Sequence, residues 1–184
     1  MAAAAALPSM PRAIPLDLGK WIAANNDKLQ PPVSNYCLYS GEDFTLMIVG
    51  GPNSRNDFHA VNETEEWFYQ IKGDMTLRLV DHGEIRDMTI KEGEMFLVPG
   101  NTPHSPIRYA DTYGLVMERR RPEGSVDRLQ WYCSKGHHDK LTMIREDSFH
   151  CTDLGKQLVA PINAWKSDEN NRRCPECGQV EDPQ

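Results

Sequence analysis

No stretch of this 184-residue chain has the long apolar run that a membrane-spanning helix needs, and nothing in it is basic enough to grip a nucleic acid. Lys and Arg number 20 against 27 Asp and Glu, giving a net charge of -7 and a pI near 5.3, so no cationic face is available to neutralise a phosphate backbone. The one dense basic run, Arg119-Arg120-Arg121, is short and reads as solvated surface. A disulfide framework is missing as well. The five cysteines (Cys37, Cys133, Cys151, Cys174 and Cys177) are an odd set with a single Cys-x-x-Cys pair, which is the usage of reduced thiols or of a metal site. The alanine-rich start from Met1 lacks a basic segment and is interrupted by Pro8, so it does not read as a signal peptide. These absences predict a cytoplasmic protein with neither a nucleic-acid nor a membrane partner. The length suits one domain with at most a small appendage.

What is present is mostly a pattern of period two. Residues 1–15 are Ala- and Pro-rich and are expected to lack ordered structure, and Leu16 to Leu29 has loosely helical apolar spacing that Pro31-Pro32 ends. From Val33 to about Arg119, apolar and polar residues alternate, as in Phe44-Leu46-Ile48 and Met75-Leu77-Leu79. Turn signals interrupt them at short intervals: Gly50-Gly51-Pro52-Asn53, Lys72-Gly73-Asp74, Asp81-His82-Gly83-Glu84, Glu92-Gly93 and Pro99-Gly100-Asn101. Many short strands so spaced predict an all-β sandwich or barrel. Trp67 to Ile71 is apolar at both parities, the mark of a strand covered on both faces. After Pro122 the sequence turns polar, with a helix expected from about Asp153 to Ser167 and Cys-Pro-x-Cys-Gly near the end. The expected organisation is an N-terminal tail and helix over 1–32, a barrel over 33–125 and a helical, Cys-containing appendage over 126–184.

Three residues carry the chemistry. His59 and Glu66 are separated by six residues, Glu66 and Gly73 by six more, and Gly93, Pro99 and His104 follow with gaps of five and four. This puts two imidazoles and a carboxylate at strand ends. Two His and one carboxylate bind a divalent metal on one face and leave the opposite positions for substrate and O2, as in non-haem Fe(II) oxygenases. Each histidine alone would more often be structural, and their joint spacing reverses that. His82 and His150 lack such company. Three protein ligands already define the open site, so Asp57 is not expected as a fourth, and Glu63 and Glu65 compete with Glu66, but only Glu66 keeps the spacing to Gly73.

The two spaced patterns resemble the motifs of the cupin superfamily, with Asn101 where a glycine is usual; Asn tolerates the left-handed backbone that glycine would supply there. That resemblance implies a cupin-type antiparallel β-barrel, or jelly roll. The strings Val49-Gly50-Gly51-Pro52-Asn53-x-Arg55-x-Asp57-Phe58-His59, Glu65-Glu66-Trp67-Phe68-Tyr69-Gln70, His104-Ser105-Pro106-x-Arg108 and Glu118-Arg119-x-Arg121-Pro122 narrow it further. With Trp131-Tyr132-Cys133 and the terminal cysteine motif, they resemble the 3-hydroxyanthranilate 3,4-dioxygenase family over most of the chain. The resemblance implies Fe(2+)-dependent cleavage of the 3-hydroxyanthranilate ring with O2. The product, 2-amino-3-carboxymuconate semialdehyde, closes to quinolinate on the kynurenine route from tryptophan to NAD. It also implies roles: His59, Glu66 and His104 hold the iron, Arg108 binds the substrate carboxylate through a planar charged fork, Arg55 lies near the O2 position, and Glu118 engages the amino or hydroxyl group. Exposed barrel strands fit a homodimer. Another cupin dioxygenase and a non-catalytic ligand-binding cupin are the rival functions; Arg55, Arg108 and Glu118 argue against the first, and three well-spaced ligands with two cations argue against the second.

Some microbial members of this family carry a rubredoxin-like iron on two Cys-x-x-Cys pairs. Here Cys174 and Cys177 form one pair, and Cys133 is followed by Ser134-Lys135-Gly136-His137-His138 without its partner. Three alternatives stand: Cys133, Cys174 and Cys177 with His137 or His138 bind a metal, zinc suiting that donor set better than iron; Cys151 completes the set; or the site is vestigial.

Overall fold

The computed structural model describes residues 15–31, 34–53, 55–61, 63–135, 139–151 and 157–183. The expectation for residues 1–15 therefore falls almost wholly outside the described residues, as does the assignment of His137 and His138. A helix, α1 (Leu18–Ala24), leads into the strands β1 (Asn35–Ser40), β2 (Phe44–Gly50), β3 (Phe58–Val61), β4 (Glu66–Lys72), β5 (Met75–Asp81) and β6 (Glu84–Ile90). Then come β7 (Met95–Val98), β8 (His104–Arg108), β9 (Tyr113–Arg119), β10 (Asp127–Tyr132) and β11 (Met143–Phe149), and a second helix, α2 (Val159–Ser167). The strands form two antiparallel sheets, ordered β1-β2-β9-β4-β7 and β11-β10-β3-β8-β5-β6. This is the all-β, cupin-type sandwich expected, with a short helix before it and a helix and cysteine cluster after it.

Alternation explains where the core sits. Along β4, Glu66, Phe68 and Gln70 are buried while Trp67, Tyr69 and Ile71 are half-buried, so successive residues face opposite sides of the sheet. Phe68, Val98, Val116 and Met47 from one sheet meet Met75, Leu77, Leu79 and Ile90 from the other. Facing rows of this kind make the interior of a two-sheet barrel. Outside it, Leu29, Leu38 and Ile48 form a second cluster against which Leu18, Trp21 and Ile22 of α1 pack.

Turn chemistry sets the register. His82 and Gly83 both have positive φ and join Asp81 to Glu84 in the two-residue hairpin between β5 and β6. Asn101 takes φ 59°, the left-handed conformation for which it replaces glycine.

The first helix is shorter than its apolar spacing predicts. The side chain of Asp17 accepts from the Lys20 N–H at 3.0 Å to start α1, but Asn25 ends it, and Asn26–Leu29 continues as a 3-10 turn. Asn and Asp compete for backbone partners and favour such ends over helix interiors. In the C-terminal helix, Pro161 sits in the first turn, where its missing N–H costs nothing; residues 152–156 are outside the described set.

The stretch from residue 126 does more than append. β10 pairs with β3, so two strands of the six-stranded sheet come from it. On the same face as His59, Leu129 and Trp131 are covered by Trp165 of α2, the two indoles stacking at 5.0 Å between centroids. One sheet thus faces the opposite sheet at one end and α2 at the other. His59 lies at the join.

Candidate active site

The sheet registers bring the three predicted ligands together. His59 of β3 is directly opposite His104 of β8, so both imidazoles leave the same face. Glu66, the first residue of β4, comes from the other sheet. Ligand atoms of His59, Glu66 and His104 all lie within 4.8 Å of one another, and all three residues are buried. Nε2 of His104 is 2.9 Å from Glu66 Oε2, while its Nδ1 is 2.9 Å from the Thr102 carbonyl oxygen and so donates there. His59 Nδ1 is 3.6 Å from Glu66 Oε1, too long for a hydrogen bond. Glu66 Oε1 is consequently buried with no hydrogen-bond partner. An orphaned carboxylate oxygen amid two imidazoles fits a divalent cation, which would satisfy it, and the donors are those a non-haem iron takes.

The electrostatics agree. Burial pushes the Glu66 carboxyl up, but the charge and hydrogen bond of His104, with His59 and Arg121 beyond, more than offset this and bring it down to about 2. An ionised carboxylate stands ready as a ligand.

The remaining site residues line the same interior. Asp57 is not in the group of three: it is taken up by Arg55, whose Nε donates to Oδ1 at 3.2 Å and whose Nη2 donates to Oδ2. Burial alone would lower the Arg55 pKa, but Asp57 raises it, so the guanidinium is firmly charged. Glu118 of β9 is directly opposite Glu66. Burial and the neighbouring Glu66 hold its carboxyl above the usual range, against the pull of Arg121. A buried acid of raised pKa beside the ligands is suited to taking up and releasing a proton.

Arg108 is opposite Met75 in the β5–β8 pair, hence on the inner face, four residues along β8 from His104. That offset is roughly 13 Å between Cα atoms at the rise of a β-strand. The side chain is 2% exposed, its Nη1 donates to Gln70 Oε1 at 2.8 Å, and its Nε has no partner. No carboxylate among the described residues pairs with it, and burial lowers its pKa to about 10. The fork is held in place from two directions. Asn53 accepts from the Arg108 backbone N–H at 2.6 Å and donates to the Pro106 carbonyl at 2.8 Å. Gly114 leaves the room: a Cβ there would come within 2.6 Å of Gln70 Oε1 and 3.2 Å of Arg108 Nη1.

Two residues of this site escaped the sequence reading. Asp127, at the start of β10, is wholly buried with Oδ2 2.8 Å from His59 Nε2. Arg121, read as solvated surface with its neighbours, instead turns inward: Nη2 donates to Asp127 Oδ2 at 2.9 Å and Nη1 to Glu118. Arg119 and Arg120 are exposed, as expected. The signal for Arg121 lay in its place beside Pro122 in the family-like string. Asp127 had none, because its partner depends on β10 joining β3.

The cysteines form a separate cluster. Cys133, Cys174 and Cys177 offer sulfurs within 4.8 Å of one another, with Cys133 and Cys177 at 3.8 Å, and Cys151 is not in the group. Burial pushes the Cys133 thiol up to about 12. Burial also opposes ionisation of Cys174, but backbone N–H groups of Cys177 and Glu176 and the neighbouring thiols bring it down to about 7. Amides aimed at a sulfur in this way favour the thiolate, the form that binds metal.

Fold and site thus define a two-sheet β protein whose interior holds a His-Glu-His group that could bind a metal ion, with a buried arginine on the same inner face. The family model for 3-hydroxyanthranilic acid dioxygenase matches residues 10–166, and the chain belongs to that family. A "3-hydroxyanthranilate 3,4-dioxygenase 2" of Aspergillus oryzae is 65% identical over 92% of this chain and 98% of its own length. A "3-hydroxyanthranilate 3,4-dioxygenase" of Pyricularia oryzae is 54% identical over 91% of this chain and 90% of its own. Among solved structures, a cupin-2 domain containing protein of Shewanella frigidimarina is similar with TM-score 0.44 and 18% identity, over 57% of this chain and 94% of that one.

Proposed function

We propose that His59, Glu66 and His104 hold Fe(II), and that the chain, a ring-cleaving dioxygenase by family, converts 3-hydroxyanthranilate and O2 to 2-amino-3-carboxymuconate semialdehyde at that centre. Spontaneous closure of this product gives quinolinate, which feeds NAD synthesis from tryptophan. The observation that carries the reading is Arg108, a buried cation with no carboxylate of its own on the wall that bears the ligands. A benzoate carboxylate supplies the missing charge. When bound by His59, Glu66 and His104, iron would supply Lewis acidity and redox chemistry toward O2.

The chain's own residues do the rest. Arg108 binds the carboxylate through a fork that Gln70 and Asn53 hold in place, which orients the ring and saves the entropy of finding that pose. Glu118 would accept the proton of the substrate hydroxyl, and Arg121 holds that acid in place. Arg55, fixed by Asp57, offers positive charge to electron density moving onto O2. The apolar walls, Phe68, Leu77 and Val116 among them, exclude water from the bond being broken.

Anaerobically purified protein loaded with Fe(II) is expected to consume one O2 per 3-hydroxyanthranilate and to yield quinolinate on standing. Oxygen uptake with other substrates and none with this one would overturn the assignment.

The cysteine cluster supports a second metal, zinc or iron, on Cys133, Cys174 and Cys177; His137, the fourth ligand of that reading, lies outside the described residues. The outer face of β4, β7 and β9, with Trp67, Tyr69, Met95, Leu97 and Met117 half-buried or exposed, supports a homodimer through the uncovered sheet. Native mass spectrometry reads both features. Two chains, each with one barrel ion and one further metal, is the expected mass; a monomer, or a single metal per chain, refutes the corresponding reading. A cytoplasmic setting fits an odd set of five cysteines with a single Cys-x-x-Cys pair, and no helix is long and apolar enough to cross a membrane among the described residues.

A further inference from the structure

A histidine ligand must present one ring nitrogen to the metal as a bare lone pair, so something else must hold the proton on the other nitrogen. His104 solves this with the Thr102 carbonyl. His59 has no such carbonyl; the atom against its second nitrogen is Oδ2 of Asp127, at 2.8 Å. Asp127 is 0% exposed, and a carboxylate buried to that degree is costly unless it is paired. Arg121 provides the pairing through Nη2 at 2.9 Å and Nε at 3.3 Å. An ion pair serving only stability would be complete at that point. Here the acid also faces a ligand histidine, and the same guanidinium reaches Glu118, which lies across the strand pair from Glu66.

We propose that Asp127, braced by Arg121, is a positioning residue of the metal centre: it fixes the tautomer and ring plane of His59 and couples that ligand to the acid facing the substrate. The proposal rests on reading His59, Glu66 and His104 as the metal ligands. Register makes the contact obligatory. Leu129 pairs with His59, and Asp127 lies two residues earlier on the same face, diagonal to the imidazole. Asp127 would donate nothing to the reaction and touch no substrate. It would act through His59, by making that nitrogen a stronger donor and by leaving the ring one orientation.

Co(II), titrated alone into metal-free protein, is the probe. Wild type is expected to bind one Co(II) in the barrel, and His104→Ala to lose it; failure of either result removes the metal reading, and this proposal with it. With those two results in hand, Asp127→Asn is expected to bind Co(II) about 10–100-fold more weakly and to change its visible absorption bands, the usual scale for loss of a partner to a ligand histidine. Wild-type affinity and spectrum in Asp127→Asn overturn the positioning role while leaving the metal site intact. Should that variant not fold, the wild-type protein decides. In protein labelled with 15N at histidine, the His59 Nε2–H is expected in a strong hydrogen bond to Asp127. Its absence overturns the proposal.

Discussion

His104→Ala is expected to abolish ring cleavage by emptying the metal site while leaving the fold standing. Of the two histidines proposed to hold the metal, His104 is the one within hydrogen-bond distance of Glu66, through Nε2 at 2.9 Å. Removing it leaves His59 and Glu66, two donors that a first-row divalent ion binds far more weakly than three. The several kcal/mol of transition-state stabilisation that a bound metal supplies go with it, so kcat should fall about a thousandfold or more. Stability should respond in a different sense. Without His104, Glu66 stays buried beside Glu118 with less positive charge to offset it, so its pKa rises from about 2. His59 and Arg121 still face it, and the melting temperature is expected to shift by only a few degrees. Elemental analysis, oxygen uptake and a thermal melt on the same preparation check all three. Retained stoichiometric iron, or activity within tenfold of wild type, would remove His104 from the centre.

The spacing that marks His59, Glu66 and His104 in the sequence, and the lack of any such mark on their neighbours, have the same physical origin. His59, Glu66 and His104 sit at strand ends whose spacing is set by nearby turns, and local chemistry writes turns into a sequence: Gly73 and Gly93 at positive φ, Asn101 at φ 59°. The sandwich itself was legible for that reason, through alternation and punctuation. Asp127 was not, because its contact with His59 requires β10 to pair with β3 some 68 residues away. Nothing local announces that pairing. Arg121 is not legible in the sequence because its two neighbours face solvent and a run of three arginines looks uniform; the chain leaves β9 at Arg119, so the period of two that would send residue 121 outward no longer holds. The helix α2 illustrates the same limit: its apolar residues were visible, but not that Trp165 would cover the inner face of β10. Arg108, by contrast, became visible only through the family-like strings, since a lone arginine on a strand is ordinarily surface.

Arg108→Ala is expected to lower kcat/KM for 3-hydroxyanthranilate by about 30-fold to several thousandfold, the effect of losing 2–5 kcal/mol from a desolvated charge pair. Most of the loss should fall on KM, because the carboxylate is bound equally in ground and transition states. Arg108→Lys should recover little: an ammonium is a point charge that cannot match both carboxylate oxygens, and it would leave Gln70 without its planar partner. The stability of either variant bears on the same claim. In the free enzyme Arg108 is 2% exposed, lacks a carboxylate partner among the described residues, and has a buried Nε with nothing to bond. Such a cation is retained at a cost to the fold, so its removal should leave the melting temperature unchanged or raise it, the usual trade between a binding site and stability. 2-Aminophenol, which keeps the chelating hydroxyl and amine but has no carboxylate, separates this role from a general one. Wild type should turn it over poorly, and Arg108→Ala should be no worse with it than wild type, because there is no charge left to lose. An equal fall with both substrates would mean that Arg108 holds the shape of the site and not the carboxylate.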